Sequence, residues 1–231
     1  MRTVDEKDGK VSPFISGIML AAGASTRMGR PKQLLPIGGR PLLQHVLDEA
    51  VASSLDEIVV VLGHRAQDIK KAIELPRGRS VRMVVNPNYA GGQSTSLRLG
   101  LRSTDPRAVG VGVLLGDQLH VTARLIDRLA AVFLTGGSPV VRPVYSGTGS
   151  RPVPGHPVFL ARRIWAEVEK LDGDQGARSL LSAHPNWVVE IAVESDPPAD
   201  LDTWDDYQRA VEAEAAPATG RGRDMRGVGG G

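Results

Sequence analysis

The chain has 231 residues, no cysteine and a formal charge of +2. Disulfides, thiolate metal sites and a cysteine nucleophile are therefore excluded, and no apolar run approaches the roughly 18–20 residues that cross a bilayer. The +2 sits in the tail, where Arg221, Arg223 and Arg226 face only Asp224, so residues 1–216 are neutral overall. A neutral body with scattered aromatics argues against a nucleic-acid surface. The polar, mixed-charge start MRTVDEKDGKVSPF reads as a flexible N-terminal segment over 1–13 and not as a targeting peptide, so a cytoplasmic location without membrane attachment is expected.

In chain order, GIML (17–20) is a short apolar run that reads as a buried strand. LAAGASTRMGRPKQLLP (20–36) follows as a loop, and Pro41 suits the first position of a helix carrying Leu42, Leu43, Val46, Leu47, Ala50 and Val51. EIVVVLG (57–63) is a β-branched strand, AQDIKKAIE a helix, and VRMVVN (81–86) a third strand. The loop NPNYAGGQS leads to a helix that Ser94 could cap.

VGVLLGD (111–117) is a fourth strand that ends on an acid, and Thr122 can cap the helix running through Val132. PVVRPVY (139–145) is a strand, SGTGSRPVPG (146–155) a long loop, PVFL a short strand and ARRIWAEVEKL a helix. LDGDQGAR turns into another helix, NWVVEIAV (186–193) is the last strand and TWDDYQRAVEAEA (203–215) the last helix. The Gly/Arg-rich residues 216–231 read as a disordered tail, which leaves a single domain over 14–215.

Strands alternating with helices predict an α/β fold of three layers, a mostly parallel sheet with helices on both faces. Ligands of such sheets bind beyond the C-terminal strand ends, and the unusual residues fall there: Ala21 to Gly23, Gly63, Asn86 and Asp117. Small side chains at Ala21, Ala22, Gly23 and Ala24 let the backbone approach a ligand, and exposed N–H groups in such a loop form an anion nest. Arg27 offers a forked donor and Lys32 a compact charge whose direction Pro31 restricts, so the stretch reads as a polyphosphate cradle. It is not a Walker loop, and no Gly-x-Gly-x-x-Gly, Ser/His/Asp or HExxH arrangement accompanies it.

A nucleoside triphosphate travels with magnesium, which takes one or two carboxylates plus phosphate oxygens. Asp117 is placed to be one ligand and Asp202, after the last strand, to be a second, although either could instead cap a helix. Asn86 could bond a base or ribose or form a turn; Ser94 could meet a phosphate or cap its helix. Asp174 could contact a substrate or form a turn, His156 could face a substrate from its loop, and His45, inside a helix, reads as structural.

These motifs resemble a known family. LAAGASTRMGRPKQLLPIGGRPLL is similar to the N-terminal motif of Rossmann-like nucleotidyltransferases, in particular the molybdenum cofactor cytidylyltransferase and MobA-like NTP transferase branch. NPNYAGGQSTSLRLGL, RPVPGHPVFL followed by GDQGAR, and DLDTWDDY resemble its later motifs in the same order, from about residue 14 to 212. Two positions depart from the pattern: Leu119 and Trp204 each stand where the family usually has proline.

The resemblance implies that Leu20, Ala21, Ala22 and Gly23 cradle a nucleotide and that Arg27 and Lys32 hold its phosphates. It also implies that Asn86 contacts the nucleotide and that Asp117 binds Mg²⁺. Ala22 points to CTP, because the guanylyl branch has glycine there. The implied reaction moves CMP onto the terminal phosphate of molybdopterin cofactor, releases pyrophosphate and supplies a downstream molybdenum enzyme. Two alternatives stand beside it: a cytidylyl or uridylyl transferase for another small phosphate such as a sugar phosphate, and a non-catalytic carrier of molybdopterin or nucleotide.

Overall fold

The structure, a computed structural model, describes residues 12–25, 28–147, 151–175, 177–198 and 201–215. Strand β1 (Phe14–Ala21) lies at the centre of the main sheet, between β4 (Glu57–Leu62) and β6 (Ala108–Leu115), and pairs in parallel with both. β5 (Ser80–Val85) extends the sheet beyond β4. On the other side, β9 (Val158–Ala161) inserts antiparallel between β6 and β7 (Val140–Tyr145), and β10 (Val188–Val193) completes the order β10-β7-β9-β6-β1-β4-β5. Within the expected loop 146–155, β8 (Val153–Pro154) pairs antiparallel with the end of β7. A two-stranded ribbon, β2 (Pro36–Ile37) and β3 (Arg40–Pro41), stands apart.

The sheet is buried on both faces because its central strands carry apolar residues in both phases of the pleat. Ile15 and Met19 of β1 and Ile58 and Val60 of β4 share one core with α1 (Leu42–Ala52), α2 (Ala66–Ala72) and α4 (Ala123–Gly136), through Leu47, Ile69, Leu129 and Phe133. Ile18, Val59 and Val61, the alternate residues, share the opposite core with α3 (Gln93–Ser103), α5 (Trp165–Val168) and α6 (Arg178–Ala183), through Leu97, Leu101, Val168 and Leu180. The expected three layers are thus present. Thr122 caps α4 as expected, its hydroxyl accepting from the Leu125 N–H at 3.3 Å.

Two boundaries differ from the sequence reading. Pro41 closes β3 and precedes α1, which starts at Leu42. The stretch 161–171 is a 3-10 turn, Arg162–Ile164, running into the single turn α5, and its last amides bond i→i+3 at Lys170 and Leu171. No helix among the described residues is long and apolar enough to cross a membrane.

Two features place the site. First, the register levels the strand ends: Ala21 stands opposite Leu62, Leu62 opposite Val85, and Leu20 opposite Leu115. The chain therefore leaves β1, β4, β5 and β6 along one edge. Second, α7 (Trp204–Ala215) packs on the β2–β3 ribbon. Leu201, Ile37 and Leu42 form a small buried cluster with Tyr207, Ala210 and Val211 around it, and the Tyr207 hydroxyl donates to the Pro36 carbonyl at 2.8 Å. That docking brings Asp202, next to Leu201, back to the edge where β1 and β6 end.

Candidate active site

A cavity of about 360 Å³ opens along this edge, within the range of small-molecule sites. Its floor is the exit of β1, Leu20 to Ala24. Lys32 and Gln33 form one wall, Tyr89 to Gln93 a second, and Leu115 to Asp117 a third, with Asp174 at the rim. Leu20, Ala21, Ala22, Gly23, Lys32, Asp117 and Asp174, all singled out in the sequence, line this one cavity.

The loop after β1 is fixed from behind. The Gln33 side-chain amide donates to the carbonyls of Ala21 and Gly23, at 3.1 and 3.4 Å, and the His64 N–H donates to the carbonyl of Ala22 at 3.2 Å. Three successive carbonyl acceptors, which would repel a phosphate, are thereby engaged. Gln33 is buried in the run KQLL, and sequence reasoning missed it; a polar residue between the site lysine and two leucines was the available signal. Gly23 carries a different message. A Cβ there would meet nothing within 4 Å, so packing does not demand the glycine, and the side chain it lacks leaves room at the cavity floor. Gly116 is the opposite case, since a Cβ would lie 2.9 Å from Leu43 Cδ1 and 3.0 Å from Ala21 Cβ.

The charged centre is a triad. Lys32 Nζ pairs with Asp117 Oδ2 and lies 2.9 Å from Asp202 Oδ1. The Lys32 and Asp117 side chains are 15% and 19% exposed, so solvent screens this pair far less than a surface ion pair. Burial works against the ammonium, but the charge and hydrogen bond of Asp117, joined by those of Asp202, outweigh it and raise Lys32 above its ordinary value. The lysine backbone is anchored as well: its N–H donates to Ser25 Oγ at 3.1 Å, and a 3-10 turn, Lys32–Leu34, starts there.

The segments 89–93 and 173–174 meet at Gly92. Its φ is +96°, and a Cβ would lie 2.4 Å from the carbonyl carbon of Gly173 and 2.8 Å from the Asp174 N. Only glycine accepts both the backbone angle and that contact, so the two motifs are fitted together here and Asp174 is delivered to the rim.

His156 sits beside this centre. Burial pushes its imidazole down to about 4, with the nearby Asp117 carboxylate opposing the shift, so the ring is neutral near pH 7. The Tyr145 hydroxyl donates to the His156 carbonyl at 2.8 Å, and burial raises that phenol to about 12.

Two expected residues lie elsewhere. Asn86 is buried behind the 89–93 wall and does not line the cavity. Its amide nitrogen donates to Thr95 Oγ1 and Ser96 Oγ, at 2.8 and 3.0 Å, and its oxygen accepts from the Asn88 N–H, so it ties β5 to the start of α3. Ser94 is not the cap, because α3 begins at Gln93 with Gly92 at the cap position. Ser94 is fully buried away from the cavity, and its Oγ has no partner among the described residues. Arg27 lies outside the described residues. His45 is structural as expected, its Nε2 at 2.8 Å from the Ile37 carbonyl.

No cluster of three or more acidic, histidine or cysteine residues suited to a metal exists among the described residues. Two carboxylates, Asp117 and Asp202, nevertheless converge on one cation, Lys32. Such a set suits a hard divalent ion that completes its shell with substrate phosphate oxygens and water.

Comparison with known proteins places this geometry in context. Residues 17–187 match the MobA-like NTP transferase domain. The chain is 31% identical over 205 residues to nicotine blue oxidoreductase of Paenarthrobacter nicotinovorans, covering 86% of this chain and 97% of that protein. Among solved structures it is similar to Rv0371c of Mycobacterium tuberculosis H37Rv, with 33% identity, a TM-score of 0.76, and coverage of 88% of this chain and 100% of that one. The same mycobacterial protein solved in complex with manganese matches with a TM-score of 0.72 at 33% identity, over 87% of this chain and 100% of that one.

Proposed function

The chain belongs to the MobA-like NTP transferase domain family, and from that premise we propose that it transfers CMP from CTP to the terminal phosphate of molybdopterin cofactor. The observation that supports this reading best is the convergence of Lys32, Asp117 and Asp202 beside a cavity floor left open at Gly23.

Positioning and charge neutralisation carry the reaction. The pinned loop Ala21 to Gly23 receives the nucleotide, and Lys32, with Arg27, takes the β- and γ-phosphates. A divalent ion on Asp117, with Asp202 as second ligand, supplies charge neutralisation and orientation of the triphosphate when bound; Mg²⁺ is our choice. The manganese-bound mycobacterial relative supports a divalent requirement. A phosphate oxygen of the acceptor attacks the α-phosphorus in line, the bond from that phosphorus to the bridging oxygen breaks, and pyrophosphate leaves with both electrons. The attacking phosphate is already an anion, so no side chain needs to take a proton. Neutral His156, next to Asp117, adds no positive charge there and is free to hydrogen-bond the acceptor, with Asp174 at the rim. We place the reaction in the cytoplasm and its product with a molybdenum enzyme downstream.

Ala22, where the resemblance puts glycine in guanylyl enzymes, supports CTP. The decisive assay measures pyrophosphate release with each of CTP, GTP, ATP and UTP and Mg²⁺, with molybdopterin cofactor, with a sugar phosphate and with no acceptor. Release that requires both CTP and molybdopterin is expected. Release only with a sugar phosphate would replace the acceptor, and nucleotide binding with no release under any condition would favour a carrier.

A second reading rests on the likeness to nicotine blue oxidoreductase across nearly its full length. If the cavity served an oxidoreductase, the chain would change the oxidation state of nicotine blue, read as a change in the dye's absorbance, with no added metal and no nucleoside triphosphate. Such turnover in a protein that releases no pyrophosphate would move the assignment to redox chemistry.

A further inference from the structure

Lys32 occupies the position between the two carboxylates that the proposed reaction assigns to a divalent ion. Its Nζ engages both Asp117 and Asp202, and its side chain is slightly more buried than that of Asp117. One cation thus already offsets half the charge of the donor set. Its backbone is anchored by Ser25 Oγ and the following 3-10 turn, yet four methylenes separate the ammonium from that anchor. The ammonium can relocate while the loop stays still.

We propose that Lys32 is the built-in counter-ion of the nucleotide-free site: it holds Asp117 and Asp202 together, keeps free divalent cations out, and releases them only to a metal that arrives with a triphosphate able to accept the displaced ammonium. The second half of this proposal rests on the nucleotidyl-transfer reading; the first half does not. Without nucleotide, a metal at Asp117 leaves the ammonium facing a dication across a poorly screened gap with no new partner. With nucleotide, the phosphate oxygens take the ammonium, and the exchange conserves ion pairs. Metal and nucleotide therefore bind together, and the protein does not collect metal from the solvent beforehand.

The test is a titration of MnCl₂ alone into the full chain, read by the electron paramagnetic resonance signal of free aquo-Mn²⁺, for the wild type and Lys32→Met. Methionine keeps an unbranched stem and removes the charge. Loss of a unit charge a few ångströms from the donors predicts Mn²⁺ binding tighter by on the order of tenfold or more in Lys32→Met. Lys32→Arg, which restores the charge, should return to wild-type weakness. CTP should strengthen Mn²⁺ binding clearly in the wild type and much less in Lys32→Met. Asp117→Asn in the Lys32→Met background should abolish the gain. If Lys32→Met proves misfolded by circular dichroism, Lys32→Gln takes its place. Mn²⁺ binding that is no tighter without the lysine charge overturns the proposal, even if the wild type releases pyrophosphate. Tighter binding in a protein that never releases pyrophosphate retains the counter-ion role and discards only the transferase reading.

Discussion

At the scale of single residues, the site separates groups required by packing from groups whose shape only a ligand explains. Gly23 belongs to the second kind, because a methyl group there would touch nothing. Gly23→Ala should leave the thermal midpoint nearly unchanged, within about 1 kcal/mol of wild-type stability, while raising the KM for CTP severalfold; calorimetry and steady-state kinetics on the same sample check both halves. His156 gives a pH signature of its own. Its folded value near 4 lies below the ordinary 6.5, so the unfolded chain accepts a proton that the folded site refuses. Stability from this residue is complete above pH 6.5 and is lost as the pH falls from there toward 4. Denaturant titrations at pH 7, 6, 5 and 4 should show His156→Asn losing less stability over that window than the wild type. Equal slopes would show that the His156 imidazole does not set this pH dependence.

The same scale shows what the sequence could and could not say. Lys32, Asp117 and Asp202 were legible because charged residues at the ends of apolar strands or beside a small-residue loop have few structural duties. Asn86 stayed open between a ligand contact and a turn because an asparagine ending a strand looks the same in either role; in the structure it ties Thr95, Ser96 and Asn88 together. Gln33 was missed because its partners are two carbonyls well back in the chain, and the polar residue between Lys32 and two leucines is a signal of burial that does not say which groups it bonds.

At the scale of elements, β-branched runs such as EIVVVL and the apolar run of β6 made the strands easy to place. The direction of β9 was not legible. VFLA is buried on both faces, like the parallel strands, and four residues without alternation carry no sign of antiparallel pairing with β6 and β7. The cap of α3 was placed at Ser94 because serine is the stronger capping residue. Gly92 holds the position because the close contact with Gly173 tolerates no side chain there. Gly92→Ala accordingly combines an unfavourable φ with a steric overlap and should cost about 1–3 kcal/mol or more. It should also displace Asp174 and the 89–93 wall, so nucleotide binding should weaken further than the stability loss alone explains. Thr122→Ala, which removes the α4 cap at a cost of roughly 1 kcal/mol, is the control for stability loss away from the cavity and should leave nucleotide binding intact. Parallel losses in both variants would reduce Gly92 to a packing residue.

At the scale of the whole molecule, a neutral body carries a cavity whose described charged lining is one lysine and two carboxylates, Asp117 and Asp174, with Asp202 paired to the lysine. A triphosphate entering such a site needs additional positive charge, which is the physical ground for a divalent ion and for Arg27. The alternation of strands and helices made the three layers and the ligand edge readable in advance, and the order β10-β7-β9-β6-β1-β4-β5 puts the most buried strands beneath that edge. The contribution of α7 was less visible. TWDDYQRAVEAEA reads as a helix in isolation, but nothing in it announces that it docks on the β2–β3 ribbon and carries Asp202 across the chain to Lys32.

Attack at the α-phosphorus is tested by following a radiolabel on the α-phosphate of CTP through a single incubation with molybdopterin cofactor, Mg²⁺ and the full chain. The α-label should move into a molybdopterin dinucleotide while a γ-label in a parallel reaction leaves as pyrophosphate. An α-label that stays in unreacted CTP, or in CDP formed with release of the γ-phosphate alone, would contradict attack at the innermost phosphorus and the role given to Lys32, Asp117 and Asp202.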